Sequence, residues 1–142
     1  MKMCYLIKKT ITGDRIMIAG QGVDIAEIQR ISQAIAKGGD AFLNRVYTEN
    51  EIAEAQNKKQ AQIAYYAGRW AAKEALSKAL GCGIGKNCSF TDIEVLTLPS
   101  GAPCMTLNGN ALRAYEQLGC ENIFVSISHE QNYAVAMVTL EK

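Results

Sequence analysis

The chain has little that would commit it to a charged or lipid partner. Fifteen Lys and Arg stand against 14 Asp and Glu in 142 residues, a formal net charge of +1. A general electrostatic grip on nucleic acid or an anionic membrane is therefore excluded, while local basic patches stay open. No run approaches the roughly 18 uninterrupted apolar residues of a membrane-spanning helix. The first apolar run, Met3 to Ile7, is short and stops at Lys8-Lys9 with no small-residue cleavage site behind it, unlike a secretory signal. No two of the five cysteines (Cys4, Cys82, Cys88, Cys104, Cys120) have the two-residue gap of a zinc knuckle or a thioredoxin-like site. They read as small apolar fillers in a reduced, cytoplasmic protein. There is one histidine. There is no G-x-S-x-G elbow, so Ser126 and Ser128 have no support as hydrolase nucleophiles. Internal repeats and low-complexity segments are also missing. What remains is 49% hydrophobic and 20% charged, the composition of one ordinary globular domain.

Residues 1–16 have weak periodicity and read as an N-terminal extension, with Met17 a credible alternative start and the domain proper over 17–142. A strand is expected over 16–25, with Gly20 and Gly22 near its end. Asp24 then opens a helix carrying Ile28, Ile31 and Ile35 and stopped by Gly38-Gly39. Asp40 caps a short helix through Phe42 and Val46. Thr48-Glu49-Asn50-Glu51 is a capping-box pattern that starts another. The main helix is expected over 60–80, ended by Gly81. Strands follow over 90–98 and 105–107, separated by a turn at 99–103. A helix over 110–118 and a hairpin of strands over 123–129 and 133–140 complete the chain. This order favours an α+β fold over a doubly wound parallel one.

The main helix is apolar or small on nearly every side, from Ala64 to Leu80, so it is expected to be largely buried. Its charges, Arg69, Lys73, Glu74 and Lys78, are costly there unless paired or bound to something. Glu74 and Lys78 are four residues apart in the favoured acid-before-base order, a surface pair worth about 0.2–0.5 kcal/mol. The sharper alternative makes Glu74 a ligand of Mg²⁺, which takes oxygen donors and only one or two carboxylates, with Lys78 on a phosphate. Asp24 is the natural second carboxylate, though with Glu27 three residues on it equally resembles a helix cap. His129, ending a strand, suits either a structural or a catalytic role. Gly81 to Gly85 lacks the Lys-Ser/Thr ending of a phosphate loop and is already accounted for as a helix C-cap.

Taken in order, these segments resemble one family, the holo-[acyl-carrier-protein] synthases, which are small phosphopantetheinyl transferases. The matching residues are Gly22-Val23-Asp24-Ile25 with Arg30-Ile31; Phe42, Arg45 and Thr48-Glu49-Asn50-Glu51; Arg69 to Ala75 with Lys78 to Gly81 and Gly83-Ile84-Gly85; Asp92 to Val95; Gly101 with Pro103; and Val125 to His129 with Tyr133-Ala134. The resemblance implies the phosphopantetheinyl transferase fold, a small antiparallel sheet packed with a long central helix. It implies Mg²⁺-dependent transfer of 4′-phosphopantetheine from coenzyme A to a serine hydroxyl of apo acyl carrier protein, in fatty acid biosynthesis, releasing adenosine 3′,5′-bisphosphate. Asp24 and Glu74 fall on the family's metal carboxylates, Lys78 and His129 on residues associated with the coenzyme A phosphates, and Arg30 on a carrier-docking position. Glu74, Lys78 and His129 are the implied catalytic set. The base is either Glu74 or a water on the metal. Homotrimers with sites shared between subunits are also implied. The chain departs from the pattern at Ala102, where Lys is frequent, and at Cys104, where a bulkier residue is. The competing readings are a non-catalytic carrier-binding module and a metal-dependent pyrophosphate hydrolase.

Overall fold

The structure, a computed structural model, describes residues 16–142; the expected extension lies almost entirely outside the described residues. Strand β1 (Ile18–Glu27) leads into helix α1 (Ile28–Val46). Within α1, Gly39 takes φ 55° and ψ −143° and breaks the helical path, where the Gly-Gly pair predicted a stop. Helix α2 (Glu49–Gln56) begins with the expected capping box. The Glu51 N–H donates to Thr48 Oγ1 at 3.3 Å, and the Thr48 N–H donates to Glu51 Oε2 at 2.8 Å. Helix α3 (Gln62–Ala79) is the long buried helix, and Gly81 behind it has φ 77°, the left-handed conformation that ends helices. Strands β2 (Ile93–Thr97) and β3 (Pro103–Leu107), helix α4 (Gly109–Gln117) and strands β4 (Asn122–His129) and β5 (Tyr133–Glu141) follow. Among the described residues there are two antiparallel sheets, β1-β5-β4 and β2-β3, and the α+β class stands.

One expectation fails at the start of the domain. Asp24 does not open a helix. β1 continues to Glu27 because it pairs with β5 as far as Glu27 opposite Tyr133, and Glu27, not Asp24, is the residue before the first helical turn. A backbone committed to a ladder cannot also enter a helix, so Asp24 is a strand residue with its side chain on one face.

That face packs on α3. Gly20, Gly22, Asp24 and Ala26 alternate inward, and Ala134, Ala136, Val138 and Leu140 line the neighbouring strand from the same side. Both strand glycines serve close approach. A Cβ on Gly22 would lie 1.9 Å from the Ala75 carbonyl oxygen, and one on Gly20 would lie 2.1 Å from that of Ala79. The helix answers with alanines at 71, 72, 75 and 79, all buried.

The costly charges of α3 are settled by pairing. Lys73 is fully buried against Glu51, Nζ to Oε2 at 2.7 Å. It also donates to the carbonyls of Val46 at 2.7 Å and Phe90 at 3.0 Å, while Glu51 Oε1 accepts the Val95 N–H at 2.7 Å. This one pair ties α1, α2, α3 and β2 together. Burial drives the Glu51 carboxyl up and the Lys73 ammonium down, each opposed by its partner. Arg69 stacks on the Tyr65 ring at 4.0 Å and donates to the Val95 carbonyl at 3.1 Å and Thr97 Oγ1 at 2.8 Å. The cysteines divide: Cys88 and Cys120 are buried free thiols, Cys82 is an exposed one, and Cys104 is disulfide-bonded. The expectation of five reduced apolar fillers therefore fails at Cys82 and Cys104.

Candidate active site

The close seating of β1 on α3 brings three of the predicted residues to one place. Two positions beyond Gly22, Asp24 leaves the strand on the face toward α3, and Lys78 meets it from the helix, Nζ to Oδ1 at 2.9 Å. The same ammonium donates to the Val23 carbonyl at 3.0 Å. Lys78 thus pairs across to the strand, not back along its own helix to Glu74 as the four-residue spacing suggested. Glu74 lies within electrostatic reach of both. Burial pushes its carboxyl above the usual carboxylate range, the Asp24 charge pushes it further, and Lys78 opposes them. Ser77 Oγ donates to the Glu74 carbonyl at 2.7 Å.

Two carboxylates and an ammonium share a partly solvated spot, with the Asp24 side chain 16% exposed and that of Lys78 51%. The acids oppose each other, and one cation only partly compensates. Hard carboxylate oxygens in such an arrangement fit Mg²⁺, which would relieve the repulsion that raises Glu74. Lys78, half in solvent, can turn to an anion beside that ion.

His129 is not in this cluster. It ends β4, which lies at the opposite edge of the sheet from β1, with β5 between them. It stands opposite Ala134, which in turn stands opposite Ala26. Two strand spacings, about 10 Å, therefore separate it from the β1 edge of its own chain, and its side chain is exposed. Arg30 is also apart, on the exposed side of the first turn of α1. With Ile25, Ile31, Phe42 and Trp70 it lines a cleft of about 200 Å³.

Sequence reasoning did not assign Gly20 and Gly22 their role in bringing Asp24 to α3. The available signal was their spacing of two, which puts both on the face that carries Asp24. It also missed the outer face of the sheet. Val23, Ile25, Phe124, Tyr133, Val135 and Met137 are between 38% and 65% exposed and form a contiguous apolar surface on the side away from α3.

Residues 20–138 match the model of the 4′-phosphopantetheinyl transferase superfamily. A holo-[acyl-carrier-protein] synthase of Ruminiclostridium cellulolyticum is 46% identical over 119 residues, 84% of this chain and 89% of the relative. One from Vibrio cholerae is 45% identical over 126 residues, 89% of this chain and 99% of the relative. Among solved structures, the Neisseria meningitidis holo-[acyl-carrier-protein] synthase superposes with a TM-score of 0.81 at 34% identity, covering 89% of this chain and all of that one. The Helicobacter pylori enzyme in complex with coenzyme A does so with a TM-score of 0.75 at 35% identity, covering 84% of this chain and 98% of that one.

Proposed function

The chain belongs to the 4′-phosphopantetheinyl transferase superfamily, as one of its holo-[acyl-carrier-protein] synthases, and on that premise we propose that it transfers 4′-phosphopantetheine from coenzyme A to a serine hydroxyl of apo acyl carrier protein. Adenosine 3′,5′-bisphosphate leaves, and the reaction serves fatty acid biosynthesis in the cytoplasm. The transferase domain is residues 17–142, with 1–16 an extension before it. The observation that carries this reading is the meeting of Asp24, Glu74 and Lys78 where β1 crosses α3.

The chemistry asks for charge control and positioning. The pyrophosphate of coenzyme A surrounds its phosphorus with negative oxygens that repel an incoming hydroxyl. Asp24 and Glu74 would hold Mg²⁺, which when bound neutralises charge on the pyrophosphate. Lys78, already beside both acids, supplies a second positive charge to a phosphate oxygen. The serine oxygen forms its bond to the phosphorus of the phosphopantetheine group as the bond from that phosphorus to the leaving oxygen breaks. The serine proton must go to a base, and the Glu74 carboxylate, in the same cluster as Asp24 and Lys78, or a water on the metal is placed to take it. Holding nucleophile, phosphorus and leaving oxygen in line is the rest of the protein's work.

The site is completed by self-association. Asp24 and His129 stand at opposite edges of one sheet, so a neighbouring copy brings its His129 to the coenzyme A phosphates. The exposed apolar face of that sheet supports a homotrimer as the working form. Arg30, beside the apolar cleft under Phe42 and Trp70, is a docking residue for the carrier.

The test is incubation of the protein with coenzyme A, Mg²⁺ and apo carrier, followed by intact-mass measurement of the carrier. A carrier heavier by one phosphopantetheine is expected. Free phosphopantetheine would identify a hydrolase instead, and no product a carrier-binding module. Glu74→Gln and Asp24→Asn are each expected to lower turnover by at least about a hundredfold in a folded protein; wild-type rates in either would remove that carboxylate from the metal site.

A further inference from the structure

The segment behind α3 holds a second chemically distinct feature. The chain leaves the helix through Gly81 and Gly83, both at positive φ. It then closes on itself where Gly85 and Cys88 exchange backbone hydrogen bonds, Gly85 N–H to the Cys88 carbonyl at 2.9 Å and Cys88 N–H to the Gly85 carbonyl at 3.2 Å. This reversal returns Cys88 toward Cys82, near enough for the Cys82 thiol to act on that of Cys88. The loop is also anchored to the helix. The Ser77 carbonyl accepts the N–H groups of Cys82 at 3.2 Å and Gly83 at 3.1 Å, and the Cys82 thiol at 3.8 Å. Both thiols are free; Cys82 is exposed and Cys88 buried.

We propose that Cys82 and Cys88 are a redox modification site, an exposed attacking thiol and a buried resolving thiol that close reversibly into a disulfide with a small disulfide oxidant of the glutathione class. The Cys82 thiolate attacks one sulfur of the oxidised glutathione, forming a mixed disulfide and releasing one glutathione thiolate. Cys88 then loses its proton to solvent and attacks the Cys82 sulfur. The Cys82–Cys88 bond forms as the second glutathione leaves. Two protein thiols are oxidised and one glutathione disulfide is reduced to two thiols. Burial holds the Cys88 thiol up at about 12, so the second step is slow and the site equilibrates over a long exposure. Ser77, which anchors the loop, lies between Glu74 and Lys78 on α3, so the clamp closes on the turn of helix that carries the candidate active site.

The experiment exposes the full chain to oxidised glutathione to equilibrium. Remaining thiols are then alkylated and the peptides mapped by mass after cleavage at both Lys86 and Glu94, which separates Cys82, Cys88 and Cys104. A linked pair of the Cys82 and Cys88 peptides is expected, lost on treatment with dithiothreitol and absent from Cys82→Ser. Glutathione persisting on Cys82 with Cys88 alkylated would overturn the proposal, as would Cys82 remaining unmodified or linking elsewhere. The readout needs no buried substitution and no catalytic assay, so it stands apart from the transferase reading.

Discussion

Gly22→Ala tests whether the seating of β1 on α3 makes the site. The added methyl would lie 1.9 Å from the Ala75 carbonyl oxygen and 2.8 Å from the Ala79 nitrogen. Ordinary contact begins near 3.4 Å, so about 1.5 Å of separation must be found, and both obstacles are backbone of a buried helix that cannot rotate away as a side chain could. The strand must lift. Asp24 is two residues further along the same face and rises with it, opening the 2.9 Å contact to Lys78 and the approach to Glu74. Overpacking of this kind costs about 1–3 kcal/mol, measurable by urea unfolding followed by circular dichroism. A displacement of about 1 Å at a reacting centre costs on the order of a hundredfold in rate, so turnover in the carrier-mass assay is expected to fall by at least that much in protein that is still folded. Gly85→Ala is the control: a Cβ there meets nothing within 4 Å, and no loss of stability from overpacking is expected. A folded Gly22→Ala variant with wild-type turnover would refute the argument that this close approach positions Asp24.

Other consequences can be measured separately. Lys73→Met leaves the Glu51 carboxylate buried without its cation and is expected to cost about 3–5 kcal/mol in chemical denaturation; a loss below about 1 kcal/mol would show that the pair does not hold the four elements together. Burial acts to raise Glu54, but hydrogen bonds from Thr97 and Tyr65 and the nearby Arg69 outweigh it and hold the carboxyl below its ordinary 4.5. Its folded value is the lower one, so its contribution is present above pH 4.5 and is lost as pH falls through the folded value. Unfolding free energies from about pH 6 down to about pH 3 should therefore fall less steeply in Glu54→Gln than in the wild type, and equal slopes would contradict the assignment. Met137→Lys puts a charge in the middle of the exposed apolar sheet face, between Val23 and Ser126 on the neighbouring strands. Sedimentation should show a trimer in the wild type and monomer in the variant, with coenzyme A turnover lost alongside; an unchanged assembly would exclude this face as the interface.

How much of this was legible in the sequence followed the range of the interactions involved. The capping box at Thr48 and Glu51 closes over four residues, and the end of α3 at Gly81 rests on one backbone conformation, so both are visible locally. The burial of α3 follows from its apolar circumference. The role of Asp24 was not visible in this way. Asp followed three residues later by Glu satisfies a helix-cap pattern and a strand equally well. The decision came from pairing with β5, over a hundred residues further along the chain. The partner of Lys78 was hidden for the same reason, since a neighbour four residues away on a helix is the default only until a strand supplies a nearer carboxylate.

The amino-acid sequence by itself determined the kinds of groups available and the elements that carry them: two acids, a lysine and a histidine in an ordered set of segments on an α+β chain. It also determined the two glycines without which no strand could lie flush on α3. Only the tertiary structure decided which of those groups meet. It joined Asp24, Glu74 and Lys78 and left His129 at the far edge of the sheet. Sheet order and register are set by hydrogen bonds between distant segments, and no local pattern encodes which strand lies in the middle.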